Sequence, residues 1–160
     1  MYLKTKISLI IFLLAFLAQK NYSKEDVKET GEWNFEYSGF VILNTISFPA
    51  GGKIIHITNK FTWKDSFGNY GKGKCYGTVE SYIKTGDTLK YYCEMNDQDD
   101  EKFFTKGGRE SENVDAGVGT QDIIDGTGKW KTFIGSTCTY GIKYKDDVVF
   151  ASQKCKLPKS

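Results

Sequence analysis

Apolar and polar side chains alternate with a period of two along almost all of the chain after residue 32, and no other feature limits its fold as strongly. Residues 53–64 show it best: Ile55, Ile57, Asn59, Phe61 and Trp63 fall on one face, and Ile54, His56, Thr58, Lys60, Thr62 and Lys64 on the other. Successive side chains of a β-strand point to opposite faces, so such a run is a strand with one buried and one wet face. Trp33, Phe35 and Tyr37 alternate in the same way with Asn34, Glu36 and Ser38, and Leu89, Tyr91, Cys93 and Met95 with Thr88, Lys90, Tyr92 and Glu94. Turn-rich stretches (PAGG at 49–52, DSFGN at 65–69, TGD at 85–87) separate the runs. The pattern predicts an all-β fold, a sandwich or a small closed antiparallel β-barrel of about eight strands, with no helix of more than about two turns. The barrel is the expected form.

Ahead of the strands, Lys4 and Lys6 precede an apolar run at residues 7–18 and a polar stretch at 19–23. Twelve apolar residues are too few to cross a hydrocarbon layer of about 30 Å as a helix. A basic start followed by a short apolar core is the layout of a secretory signal peptide. The expected organisation is a signal peptide at 1–23, a short extension at 24–32 and one barrel domain at 33–160, exported to a periplasmic or secreted location. Removing residues 1–23, which hold three lysines and no acid, takes the 22 basic residues down to 19 against 20 acidic ones. A near-neutral mature chain lacks the overall charge that nucleic acid or an anionic membrane attracts, so neither is an expected partner.

Four cysteines in an exported chain predict two disulfides. Cys75, Cys93, Cys138 and Cys155 are scattered and His56 is the only histidine, so no metal or other cofactor is expected. Facing residues of a hairpin share a face, which fixes the parity of each register. A two-residue turn at Asp146 and Asp147 sets Cys138, Tyr140, Ile142 and Tyr144 against Cys155, Gln153, Ala151 and Val149, so Cys138 faces Cys155. Cys75 and Cys93 then pair by elimination. A three-residue loop at 85–87, with Lys84 facing Thr88, opposes that second bridge: it sets Cys93 against Val79 and leaves Cys75 four residues away.

The run IDGTGKWKTFIG at 124–135 has the glycines and lysine of a phosphate loop. It lacks the spacing, and the residues after Gly128 are strand-like rather than helical, so the expectation is a hairpin or bulge. Together with GKGKCYG at 71–77, the stretch AGVGTQDIIDGTGKWKTFIGSTCTYGI resembles bacterial secreted barrels of the allene oxide cyclase and dirigent group over roughly residues 71–145. Lys131 and Thr132 stand where that group has glycine. The resemblance implies an eight-stranded barrel whose mouth or lumen holds an apolar small molecule, with cyclase or stereochemical guidance activity in some members. It carries no catalytic residue onto this chain.

The remaining candidates are inward polar residues. His56 lies on an outward face, and DQDDE at 97–101 departs from a calcium loop at positions six and twelve, which leaves a solvated acidic loop. Asn59, Trp63, Ser81, Tyr91, Tyr140, Tyr144 and Gln153 point inward, and small residues at Gly71, Gly73, Cys75 and Gly77 suggest unfilled volume beside Tyr140 and Gln153. The leading expectation is non-enzymatic binding of a small apolar or amphipathic ligand in the lumen. One alternative is a cyclase of the allene oxide cyclase type, acting by confining its substrate. The other is a solid-core envelope protein that interacts through outer aromatics such as Tyr70, Tyr76 and Tyr82.

Overall fold

A computed structural model describes residues 31–82, 86–111 and 116–158. The expected signal peptide and nearly all of the extension after it lie outside the described residues. From Glu32 the chain forms β1 (Glu32–Ser47), β2 (Lys53–Asp65), β3 (Tyr70–Tyr82), β4 (Gly86–Asp97), β5 (Lys102–Ser111), β6 (Ala116–Gly126), β7 (Thr137–Lys145) and β8 (Val148–Lys156). Each strand pairs antiparallel with its neighbours in sequence, and β8 returns to β1 to close the barrel. The inward set is the one the alternation selects: Trp33, Phe35, Phe61, Trp63, Leu89, Met95 and Val149 are all buried.

The β7–β8 hairpin has the expected register, with Lys145 opposite Val148 across Asp146 and Asp147, and Cys138 opposite Cys155. Those two cysteines form a disulfide, and so do Cys75 and Cys93. The second bridge corrects the expected β3–β4 register, because Tyr82 faces Gly86 and Cys75 faces Cys93 directly. The two registers differ by a slide of four residues, an even number that leaves every side chain on its own face, so parity admits both and cannot choose between them. The turn chemistry chooses. Gly86, with φ of +73°, sits where the loop re-enters β4, at the end of the connection and not in its middle.

A further correction concerns the lumen. The small inward residues leave only about 20 Å³ beside Tyr140, since large side chains occupy most of the space they vacate. A Cβ on Gly73 would overlap the Phe61 ring and the Met95 sulfur, one on Gly107 the Tyr91 hydroxyl, and one on Gly119 the Tyr140 hydroxyl. Gly73→Ala should therefore cost about 1–3 kcal/mol. Gly141→Ala is the control: its added methyl meets nothing within 4 Å, and replacing a strand glycine should leave stability unchanged or raise it by a few tenths of a kcal/mol. Urea unfolding of the oxidised proteins measures both.

Candidate functional site

One end of the barrel is closed by two copies of a single device. In the β2–β3 turn, Asp65 Oδ1 accepts the backbone N–H groups of Phe67 and Asn69 at 2.9 and 2.8 Å, while its Oδ2 accepts the indole N–H of Trp33 at 2.9 Å. In the β4–β5 turn, Asp97 Oδ1 accepts the N–H groups of Asp99 and Glu101 at 2.8 and 2.9 Å, and its Oδ2 accepts the indole N–H of Trp130 at 2.9 Å. The fourth residue of each turn, Gly68 or Asp100, is left-handed. DSFGN and DQDDE are thus the same turn written twice. Asp97 is not the solvated acid expected of an acidic loop: its side chain is inaccessible and pairs with Lys129 Nζ at 2.8 Å.

Lys129 and Trp130 belong to a 3-10 helix, Gly128–Phe133, where the sequence pattern predicts a hairpin or bulge within strand. Local propensity is overridden by burial. Trp130 is fully buried, and rings of Trp33, Phe103, Phe133 and Trp63 lie within 4.5–5.9 Å of its own. The Glu101 carboxylate accepts the Lys129 backbone N–H at 3.0 Å and holds the start of this turn in place. Trp63, expected to line a ligand site, stacks on Phe35 at 5.1 Å and donates its indole N–H to the Lys72 carbonyl. It is part of the floor.

Above the floor, Tyr37, Tyr91, Tyr140 and Tyr144 converge with Asn59 around a cavity of about 20 Å³. That is room for one water molecule, whereas small-molecule sites run to hundreds of Å³. Tyr91 donates to Gln121 Oε1 at 3.0 Å, and Tyr140 to the Gly108 carbonyl at 3.3 Å. Burial pushes the Tyr37 and Tyr91 hydroxyls far above their usual pKa, and the neighbouring tyrosines add to the effect. Burial also raises Tyr140 and Tyr144, tempered by the neighbouring Tyr91 and Asn59 side chains respectively and by the nearby Arg109. All four are neutral hydrogen-bonding groups near pH 7.

Of the expected site residues, the structure brings together Asn59, Tyr91, Tyr140 and Tyr144. Gln153 is buried outside the cavity lining, opposite Phe35 and Tyr140 on the flanking strands. Ser81 is part-exposed at the far end of β3, between Lys53 and Asp87. His56 is exposed, as expected, with Nδ1 3.4 Å from Thr78 Oγ1.

Roomier sites lie on the outer wall: one of about 860 Å³ over β1, β2 and β6–β8, where Glu36 pairs with Lys64, and a second that is basic. The second, a groove of about 620 Å³, crosses β2 to β5 and is lined by Lys60, Lys72, Lys74, Tyr76, Tyr92 and Phe104, among others. Tyr76 and Tyr92 face each other on adjacent strands, 54% and 63% exposed. Lys60 lies directly opposite Lys74, whose ammonium sits 4.7 Å above the Tyr76 ring. Glu94, the acid within the groove, is taken up by Lys102 at 2.7 Å. Like charges facing each other across a ladder weaken it; here the Lys60–Lys74 repulsion is partly offset by Glu94, which faces Lys74 from β4 and is shared with Lys102. Sequence reasoning picked out Tyr76 but passed over the lysines. The available signal was parity, which puts Lys72, Lys74 and Tyr76 on one outward face of GKGKCYG.

No family model matches the chain, and no curated protein matches it either. What the molecule defines is a class: a disulfide-stapled, eight-stranded barrel with a filled interior and a basic, aromatic groove on its wall.

Burial by itself would push the Asp97 carboxyl up, but hydrogen bonds from Lys129, the Trp130 indole and the N–H groups of Asp99 and Glu101 outweigh it and hold the group below the usual carboxylate value. Its stabilising contribution is complete above the unfolded-state value of about 3.9 and disappears as pH falls through the lower folded-state value. Asp97→Asn should cost roughly 1–3 kcal/mol at pH 7. Its stability should also fall less steeply than the wild type's below about pH 4. Urea titrations between neutral pH and the acid limb measure both effects.

Proposed function

We propose that this protein is an exported, non-catalytic binding protein that engages an anionic polysaccharide through the groove across β2–β5. The observation that carries this reading is the cluster of Lys60, Lys72 and Lys74 beside the exposed Tyr76–Tyr92 pair. Ammonium groups neutralise carboxylates or sulfates spaced along a polymer, and flat exposed tyrosine rings receive the apolar faces of sugars. Two disulfides fit an oxidising, exported location, where surface polysaccharides are the abundant polyanions. A lumenal ligand, or a cyclase substrate confined there, needs far more than the roughly 20 Å³ beside Tyr91 and Tyr140. The lumenal tyrosines, with raised pKa values, also supply no base near neutral pH.

Isothermal titration with polyuronate oligomers at low salt tests the reading. Binding should weaken as salt rises. A Lys60→Gln, Lys74→Gln double variant should bind roughly fivefold to tenfold more weakly, and Tyr92→Ala several-fold more weakly. Absence of polyuronate binding, or binding indifferent to both variants, would overturn it. Lysine-dependent binding of single-stranded DNA or anionic vesicles in its place would reassign the groove.

A further inference from the structure

The barrel is closed, but its strands are unequal. The β1–β8 ladder stops at Phe40 opposite Val148, and the last bond across that seam runs from the Val41 N–H to the Asp147 carbonyl at 2.8 Å. β1 continues to Ser47, paired there only with β2. Every residue from Ile42 to Phe48 is exposed, although Val41 is buried. β1 therefore runs on past the end of the β7–β8 hairpin, and among the described residues no strand pairs with its outer edge there.

The ladder phase shows which groups lie on that edge. Phe48 donates its N–H to the Gly52 carbonyl across the hairpin, so the even-numbered residues of this stretch turn their N–H and C=O groups toward β2. The odd-numbered ones turn the other way, in agreement with the Val41 bond to Asp147. Leu43, Thr45 and Ser47 thus present a row of N–H and C=O groups on the edge. The sequence here is FVILNTISF from 40 to 48, nine residues without a charge in a chain that is 26% charged. Phe40, Ile42, Leu43 and Ile46 are 63%, 54%, 50% and 55% exposed, and Phe48 38%. Exposed edge strands are ordinarily guarded by charges, proline or a bulge. This one is unguarded.

We infer that two copies of this chain join through this edge, β1 pairing antiparallel with β1 of the second copy across a two-fold axis at Thr45. The free stretch runs from 42 to 48, and Thr45 is its midpoint. Centred there, Thr45 faces Thr45 of the second copy and Leu43 faces Ser47, all odd-numbered and so all with bonding groups on the edge. On the outward face, Ile42 meets Phe48 and Asn44 meets Ile46. An uncharged edge offers nothing to a charged partner and does not repel its own copy. A two-fold pairing uses the same edge of both copies, so it closes at two and does not run on into a filament.

Sedimentation equilibrium of the exported protein, with both disulfides intact, should show a mass rising from one copy to two with concentration. One copy throughout, up to about 100 μM, would overturn the inference. Thr45→Pro removes an edge N–H that β2 does not use, and Ile46→Lys places a charge on the exposed face. Each should weaken association at least tenfold while leaving the near-ultraviolet spectrum unchanged, and unaltered association in both would overturn it. All native cysteines are bridged, so an added one is the sole thiol. Thr45→Cys should form an intermolecular disulfide on air oxidation and Asn44→Cys should not, because an Asn44 pair in this register lies beyond disulfide reach. Cross-linking through Asn44→Cys in preference to Thr45→Cys would refute the pairing.

Discussion

The Asp97 carboxylate is the point on which the closed end of the barrel depends. It is inaccessible to solvent and charged, an arrangement that is costly unless every lone pair is used. Here they are used: two backbone N–H groups form the β4–β5 turn, the Trp130 indole fixes the plug, and the Lys129 ammonium balances the charge. The four contacts tie two segments, the turn and the 3-10 helix, to the same two oxygens. Turn geometry, position of the 3-10 helix and packing of the Trp33–Phe103–Trp130 cluster are therefore set together. Asp65 does the same for Trp33 in the neighbouring turn.

Above that floor the interior is governed by size matching. Glycines on one strand face aromatic or long side chains on the next, Gly73 against Phe61 and Met95, Gly107 against Tyr91 and Gly119 against Tyr140. Eight-stranded barrels can be filled or can hold a ligand, and this distribution of side chains fills it. The wall follows the same alternation from the other side. There the strand alternation that supplied the core also lines up lysines and tyrosines in rows across the sheet.

Much of this was legible in the chain. Period-two alternation identified the strands and their inward faces, and face matching placed the Asp146–Asp147 turn and the Cys138–Cys155 contact. The β3–β4 register was not legible, because parity is blind to any even slide, here one of four residues, and only Gly86, left-handed at the end of the loop, separates the choices. The plug was hidden for a different reason. Lys129 to Ile134 has strand-like composition, and it is the distant Asp97 that holds Trp130 in a helical turn. The equivalence of DSFGN and DQDDE was written in the sequence. It becomes visible once each first aspartate is asked where its second oxygen goes.

The topology also bears on how the cysteines find each other. Both bridges join neighbouring strands, so each cysteine is bound to the next one along the chain: Cys75 to Cys93, then Cys138 to Cys155. A polypeptide delivered amino end first into an oxidising compartment, and oxidised as its thiols arrive, makes both native bonds in order of arrival. No wrong pairing has to be undone, and the one long-range ladder, β1 with β8, can wait until the last strand is through.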